Sequence, residues 1–351
     1  MYLLKFTQIA LTALIAFAPI AIGQKLTLKL PTDNDALFRN QPEKFYMYCD
    51  RTFEGKVSKP WTAGKYGYVR NMKRSPMGVI GTRLHEGIDI QAVKRDRRQE
   101  PLDLVRPIAP GKVVYVNASS GRSNYGKYVV IEHTLPEGQF FSLYAHFNRI
   151  DCKAGDIVTT STTIGKLGYT GRGTTRTRAH LHLEFGMMCS AHYNDYLKSV
   201  GGGVNYHGNH NGLNLIGCDV SSLLTASHQQ GSITFAEEIA KEEPYFKVTV
   251  PRKGKLELIE RNPFLIPSQS VPQSPSWELT FTAAGFPLKV LPSRREVKGP
   301  TVTWVKPQNC QHSDRTLARL SGVGSSATLT ARGLRFIKLL TEDFPISPTA
   351  N

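Results

Sequence analysis

Beyond its N-terminus, this chain of 351 residues lacks any apolar run long enough to cross a membrane. It has five cysteines and no CxxC pair, so neither a cysteine-rich zinc finger nor a dithiol redox site is indicated. It also lacks the aromatic stacking motifs of known nucleic-acid-binding modules. These absences exclude a multispan membrane protein, and we expect no nucleic-acid partner.

The single long apolar run, at residues 6–22, is predicted to be a secretory signal. Lys5 precedes it, and Ala21-Ile22-Gly23 offers small residues for cleavage. A membrane anchor is the alternative, because the run is just short of the ~20 residues that a span needs. We expect residues 1–23 to be a signal peptide. The mature protein would then be exported to the periplasm, cell envelope or medium, with no stable membrane span.

Acidic residues are few relative to basic ones. The 44 lysines and arginines against 28 aspartates and glutamates give a formal net charge of +16. A basic exported protein attracts anionic partners such as cell-wall polymers and lipid phosphates. A solvated basic surface without a specific partner is the alternative. The composition therefore favours the cell envelope and identifies no protein partner.

The pattern of apolar residues predicts a mainly β fold. We divide the chain into an irregular lead-in (24–60), a β-rich domain (61–225) and a C-terminal β-rich accessory region of unknown role (226–351). In the domain, Gly/Asn/Pro clusters separate predicted strands at 112–116, 127–132, 140–146 and 179–185. In the accessory region we predict a short helix at 235–242, strands at 245–250, 256–260, 277–282, 288–291 and 302–305, and a linker or extended segment at 262–276.

The cysteine count leaves the disulfide pattern open. Five is odd, so at least one cysteine stays free or pairs between chains. Cys189 and Cys218 flank a Gly/His/Asn-rich loop and are candidates for a bridge. Buried thiols that act as small apolar residues are the alternative.

The predicted strand at 179–185 carries an HxH pattern. Alternation places His180, His182 and Glu184 on one face, with leucine and phenylalanine on the other. One histidine can then bind a metal ion while the other stands beside the ion's open position. An exposed strand face with two ordinary histidines is the alternative.

A second pattern, HxxxD, occurs at His85 and Asp89. On a straight strand these residues would lie about 13 Å apart, too far for one ion. A turn or bulge at Gly87 would bring them together. A helical HExxH-type site is the rival interpretation, but the fifth residue is aspartate and Gly87 disfavours a helix.

Two histidines and one carboxylate make a three-ligand zinc site with one position left for water. Such an ion lowers the pKa of its bound water to about 7 and polarises a carbonyl. His146 and His180 are candidates to transfer the proton and hold the oxyanion. A core histidine at a strand end is the alternative for His146.

Six stretches in this order resemble the lysostaphin-type zinc endopeptidases, or LytM domain, with its duplicated hybrid motif. They are HEGIDI (85–90), PGKVVYV (110–116), YGKYVVIEH (125–133), SLYAHF (142–147), GDIVTTSTTIGKLGYTG (155–171) and RAHLHLEFG (178–186). The resemblance covers roughly residues 75–190.

The resemblance implies zinc bound by His85, Asp89 and His182, with His146 and His180 as catalytic histidines. It implies an antiparallel β architecture and hydrolysis of peptide bonds in peptidoglycan stems or cross-bridges. A charged insertion at 94–98, Thr162-Thr163 and the loop at 172–178 depart from the family and put substrate choice in doubt.

Two other functions remain open. One is a non-enzymatic envelope module of the same fold, which binds peptidoglycan or activates another cell-wall hydrolase. Such members typically lose site residues, which this chain keeps. The other is a swinging-arm carrier barrel, for which the chain lacks an exposed lysine in a Met-Lys-Met-like hairpin.

Overall fold

The computed structural model describes residues 25–267, 273–342 and 344. The predicted signal peptide, 1–23, lies outside the described residues. The protein is mainly β, as predicted, and its named strand pairs are antiparallel. No helix in the described part of the chain has the length and apolarity needed to cross a bilayer.

The strands are β1 (Arg51–Phe53), β2 (Lys56–Ser58), β3 (Gly67–Ser75), β4 (Gly78–His85), β5 (Ile88–Gln91), β6 (Leu104–Val105), β7 (Gly111–Asn117), β8 (Tyr128–Leu135), β9 (Gly138–Ala145), β10 (Phe147–Ile150), β11 (Ile157–Val158), β12 (Gly165–Leu167), β13 (His180–Met188), β14 (Leu215–Gly217), β15 (Phe246–Pro251), β16 (Ser276–Phe281), β17 (Pro287–Ser293), β18 (Thr301–Val305), β19 (Leu320–Ser321) and β20 (Thr328–Leu329). The α-helices are α1 (Pro42–Phe45), α2 (Tyr193–Ser199), α3 (Val220–Gln230), α4 (Phe235–Ile239), α5 (Glu257–Arg261) and α6 (Ala331–Thr341). Five short 3-10 helices occupy Trp61–Gly64, Gly208–His210, Gly212–Asn214, Pro263–Leu265 and His312–Arg315.

One seven-stranded sheet positions the HxH strand. Its order is β11-β7-β8-β9-β13-β14, and β5 also pairs with β13. Strand β9 runs along one edge of β13, and β5 and then β14 run along the other. All nine residues of β13 are buried, so its polar face lies in a covered groove and not on an open surface.

The accessory region contains a four-stranded sheet of order β17-β16-β15-β18. It packs into a continuous apolar core with the seven-stranded sheet. Phe235 of α4 is fully buried, and its ring lies 4.1 Å from that of Phe140 on β9. Burial of such rings is the main force that joins the two parts of the core.

One predicted strand is wrong. Residues 256–260 are predicted as a strand, but Glu257–Arg261 is helix α5. Asn262 donates a side-chain hydrogen bond to the carbonyl of Leu258, and Arg261 reaches the carbonyls of Met188 and Cys189. These tertiary contacts favour a helical turn against the end of β13. Of the predicted linker at 262–276, residues 268–272 lie outside the described residues.

All five cysteines, each within the described ranges, are free thiols. Cys189 and Cys218 are buried, and burial raises the pKa of Cys189 to about 12. The structure therefore favours the second interpretation, that these residues act as small apolar side chains.

Candidate metal centre

Three side chains from distant parts of the sequence converge in the groove over β13. His85 ends β4, Asp89 lies on β5, and the register pairs Asp89 directly with His182 on β13. Gly87 lies in the turn between β4 and β5, where only glycine fits. A Cβ at this position would come within 2.8 Å of Glu184 Cγ and would collide with the Leu183 carbonyl. The close approach of this turn to β13 brings His85 and Asp89 to the same point.

The three candidate ligand atoms form a compact triangle. His85 Nε2 lies 3.1 Å from Asp89 Oδ1 and 3.2 Å from His182 Nδ1, and the third side is 2.9 Å. Tetrahedral zinc with N and O ligands at ~2.0–2.1 Å places neighbouring ligand atoms about 3.3 Å apart. The triangle fits one face of such a site and leaves the fourth position to a water or substrate. All three residues are buried.

Both histidines of the triangle are oriented through their other ring nitrogen. His85 Nδ1 donates to the carbonyl of Lys65 at 2.8 Å, and His182 Nε2 donates to Glu184 Oε1 at 2.9 Å. Such hydrogen bonds fix the tautomer that points the unprotonated nitrogen at a metal ion. Glu184 therefore orients His182.

Two further residues complete the surroundings of the triangle. Arg70 on β3 donates to Asp89 Oδ2 at 2.6 Å, so the other carboxylate oxygen faces the histidines. Tyr125 donates its hydroxyl to Glu184 Oε1 at 2.6 Å. No sequence pattern indicates Arg70, whereas Tyr125 lies in one of the stretches that resemble the family.

The electrostatics of the site favour a positive charge at its centre. Burial opposes ionisation of Asp89, but the charges of His85 and His180 and hydrogen bonds from His180 and His182 lower its pKa well below its usual range. Burial opposes protonation of His182, yet its hydrogen bonds to Asp89 and Glu184 raise its pKa to about 10. A buried carboxylate whose ionised form is favoured this strongly also suits a metal cation at the same place.

His146 and His180 stand together beside the triangle. Their ring centroids are 4.8 Å apart, and His180 Nε2 lies 3.4 Å from Asp89 Oδ1. His146 Nδ1 donates to the carbonyl of Thr170 at 2.7 Å, and His180 Nδ1 donates to that of Arg178 at 2.6 Å. Each Nε2 therefore carries the lone pair. Burial, helped by the charges of His180 and His182, lowers the pKa of His146 to about 3.

His146 adopts a backbone φ of 66°, in the left-handed region. A non-glycine residue there costs of order 1 kcal/mol and persists only when its surroundings enforce it. The amide of His146 donates to the carbonyl of Tyr125 at 3.0 Å, which holds the turn after β9. The turn directs the imidazole toward β13.

Two other histidines have contacts outside the three-residue cluster. His133 is buried between the Pro110 carbonyl and the Ser142 hydroxyl, at 2.7 Å from each. His207 lies at the groove wall and contacts the Tyr115 hydroxyl at 2.8 Å. Neither joins the three-residue cluster.

One protein-family model matches part of this chain. Residues 83–194 match peptidase family M23 and form a domain of that family, which confirms the resemblance found in the sequence. No curated protein matches the chain.

The solved structures that are similar to this chain include the following three. A variant of the catalytic domain of the prophage-encoded protein EnpA from Enterococcus faecalis shares 22% identity over 40% of this chain and 86% of its own, with a TM-score of 0.27. A zinc-containing peptidase from Vibrio cholerae shares 24% identity over 40% of this chain and 36% of its own, with a TM-score of 0.24. The catalytic domain of lysostaphin from Staphylococcus simulans shares 20% identity over 42% of this chain and 84% of its own, with a TM-score of 0.25.

Proposed function

We propose that this protein is an exported zinc metalloendopeptidase that hydrolyses peptide bonds in peptidoglycan stems or cross-bridges. The observation that carries the proposal is the triangle of His85 Nε2, Asp89 Oδ1 and His182 Nδ1, with two more imidazoles beside its open side. A structural zinc site has four protein ligands, whereas three ligands and an open position are typical of catalysis. The family match at residues 83–194 supports the same function.

In this proposal His85, Asp89 and His182 hold the zinc ion. When bound, the ion would supply a water of lowered pKa and polarise the scissile carbonyl. His146 and His180 each present an unprotonated Nε2 at the open side. From there one imidazole accepts the proton of the attacking water and returns it to the leaving amine. The other imidazole, in its protonated form, donates a hydrogen bond to the oxyanion.

A second candidate function is a non-enzymatic envelope module of the same fold that binds peptidoglycan or activates another hydrolase. It needs the groove but not the catalytic histidines. The presence of all five predicted site residues around one groove favours the enzyme.

Digestion of defined muropeptides tests the proposal. The chain without residues 1–23, loaded with zinc, should release fragments with new peptide termini, identified by mass spectrometry. A chelator should abolish the cleavage, and added zinc should restore it. His180→Ala should slow the cleavage by about 100-fold or more, since general acid–base groups contribute this much.

The matched control is His228→Ala, which removes an exposed histidine from helix α3. It should cleave at the wild-type rate. Muropeptide binding without cleavage, equal in wild type and His180→Ala, would favour the non-enzymatic module instead.

A further inference from the structure

A second cavity, about 640 Å³ in volume, continues from the groove over the metal centre. We call it the arginine groove, because five of the residues that line it are Arg51, Arg70, Arg83, Arg172 and Arg178. Four of these, all but Arg51, also line the groove over His85, Asp89 and His182. A peptide that reaches the metal centre from this side therefore passes the arginines.

The charge of the arginine groove is not neutralised by the protein. Arg70 is paired with Asp89, but none of the other four arginines forms an ion pair with any residue that the structure describes. The lining contains one carboxylate, Asp50. Arg149, outside the groove, is paired with Asp151. Four guanidinium groups without an ion-pair partner among the described residues thus line one groove.

Three of the arginines are held in place by backbone carbonyls, and one of them, Arg70, donates to Ala63 at 3.0 Å. Arg178 donates to Tyr48 at 3.1 Å and to Gly173 at 2.9 Å, and Arg51 donates to Val69 at 2.8 Å. Arg83 and Arg172 make no side-chain hydrogen bond within the described residues, so their guanidinium groups are available to a ligand. The groove combines fixed charges with two adaptable ones.

A guanidinium group binds a carboxylate through two parallel hydrogen bonds, and a concave wall of one charge sign concentrates anions. We infer that the arginine groove binds free carboxylates of the substrate next to the scissile bond. This inference rests on the proposed function and specifies its substrate class. The preferred substrate is an acidic peptide, such as a peptidoglycan stem with free carboxylates, and not a neutral oligoglycine bridge.

The test compares three fluorescent peptides: an acidic stem peptide, the same peptide with its side-chain carboxylates amidated, and an oligoglycine peptide. Their binding to the full chain without residues 1–23 is measured by anisotropy in the presence of a chelator, which prevents cleavage. We expect the acidic peptide to bind at least about tenfold more tightly than the other two, as two or more charge-assisted hydrogen bonds imply.

Arg83→Gln and Arg172→Gln should each reduce this preference by about fivefold, and the double variant should remove most of it. Arg149→Gln, which removes the same charge outside the groove, should keep the wild-type preference. Added salt should weaken the binding of the acidic peptide more than that of the amide.

Equal binding of the acidic and amidated peptides would overturn the inference, as would an unchanged preference in the double variant. Arg83- and Arg172-dependent binding of a labelled polyphosphate, with no measurable binding of the acidic peptide, would also overturn it and would assign the groove to a phosphate polymer. Because binding is measured without zinc, these outcomes are independent of catalysis. Failure of the proposed function would instead appear as acidic peptides that bind but are not cleaved after zinc is restored.

Discussion

At the residue scale, each candidate ligand is held from behind by a second group. Lys65 accepts from His85 through its carbonyl, Arg70 donates to Asp89, and Glu184 accepts from His182. These partners set the direction of each ligand atom before any ion arrives. Substitution of these partners should therefore change zinc affinity, which can be measured without any peptide cleavage.

Glu184→Ala should weaken zinc binding by about 10- to 100-fold, because the orientation of His182 and its basicity depend on this carboxylate. Competition with a chromophoric chelator measures the affinity. Glu184→Gln, which keeps an acceptor oxygen, should lose less. Glu132→Ala, on strand β8 of the same sheet and outside the site, is the control. A Glu184→Ala protein with wild-type zinc affinity would show that the hydrogen bond does not orient the ligand.

His133 should make the stability of the protein depend on pH. Burial lowers its folded-state pKa to about 4, against ~6.5 when unfolded. The unfolded chain binds the extra proton between these values. The stabilisation is therefore complete above about pH 6.5 and is lost as the pH falls toward 4, by roughly 3 kcal/mol in total.

Urea denaturation of wild type and His133→Gln at several pH values checks this. The difference between their unfolding free energies should shrink as the pH falls from 6.5 to 4. Parallel pH curves for the two proteins would contradict the burial effect.

The sequence predicted His85, Asp89, His182, His146 and His180 as the site, and the structure brings these five residues to one groove. Their roles as ligands and catalysts stay predictions. Strand alternation was enough to place His180 and His182 on one face. It did not identify Arg70, because an arginine on a polar strand has no distinguishing sequence pattern. Its contact with Asp89 is known only from the structure.

At the element scale, the site depends on how tightly the β4–β5 connection approaches β13. Gly87→Ala would push a methyl group against Leu183 and Glu184. We expect a loss of about 1–3 kcal/mol in unfolding free energy and weaker zinc binding, since overpacking forces the backbone to shift. Gly203→Ala is the matched control, because a Cβ there has nothing within 4 Å. Equal effects of the two substitutions on zinc affinity would contradict this role of Gly87.

The central strands of the seven-stranded sheet were predictable because glycine, asparagine and proline turns flank their apolar runs. Strand β7, predicted at 112–116, is Gly111–Asn117 in the structure. The hairpin β3–β4 was missed, because Gly67–Ser75 is mostly polar and half-buried at best. Helix α5 was predicted as a strand, because five residues with alternating leucines fit both periodicities. Tertiary contacts, which the local sequence pattern does not reveal, determine whether such a short segment forms a helix or a strand.

At the scale of the whole molecule, aromatic side chains of the accessory region pack against the seven-stranded sheet. Phe235→Ala should lower the unfolding free energy by about 3–5 kcal/mol, because it empties a fully buried site between Phe140, Phe185 and Phe264. Tyr206→Ala, at an exposed ring, should change it little. Denaturation followed by circular dichroism and by tryptophan fluorescence measures both.

The two probes should give one coincident transition in the wild-type protein, since the apolar core is continuous. Two separated transitions would contradict this coupling. The division into a domain at 61–225 and an accessory region at 226–351 stays a prediction, to which such data would contribute directly.

Anomalous diffraction at the zinc edge, from crystals of the protein grown with one equivalent of zinc, would locate the bound ion. We expect one strong peak, about 2.1 Å from His85 Nε2, Asp89 Oδ1 and His182 Nδ1, with a fourth position facing His146 and His180. A peak coordinated by other residues, or no peak in this groove while zinc is bound in solution, would contradict this expectation.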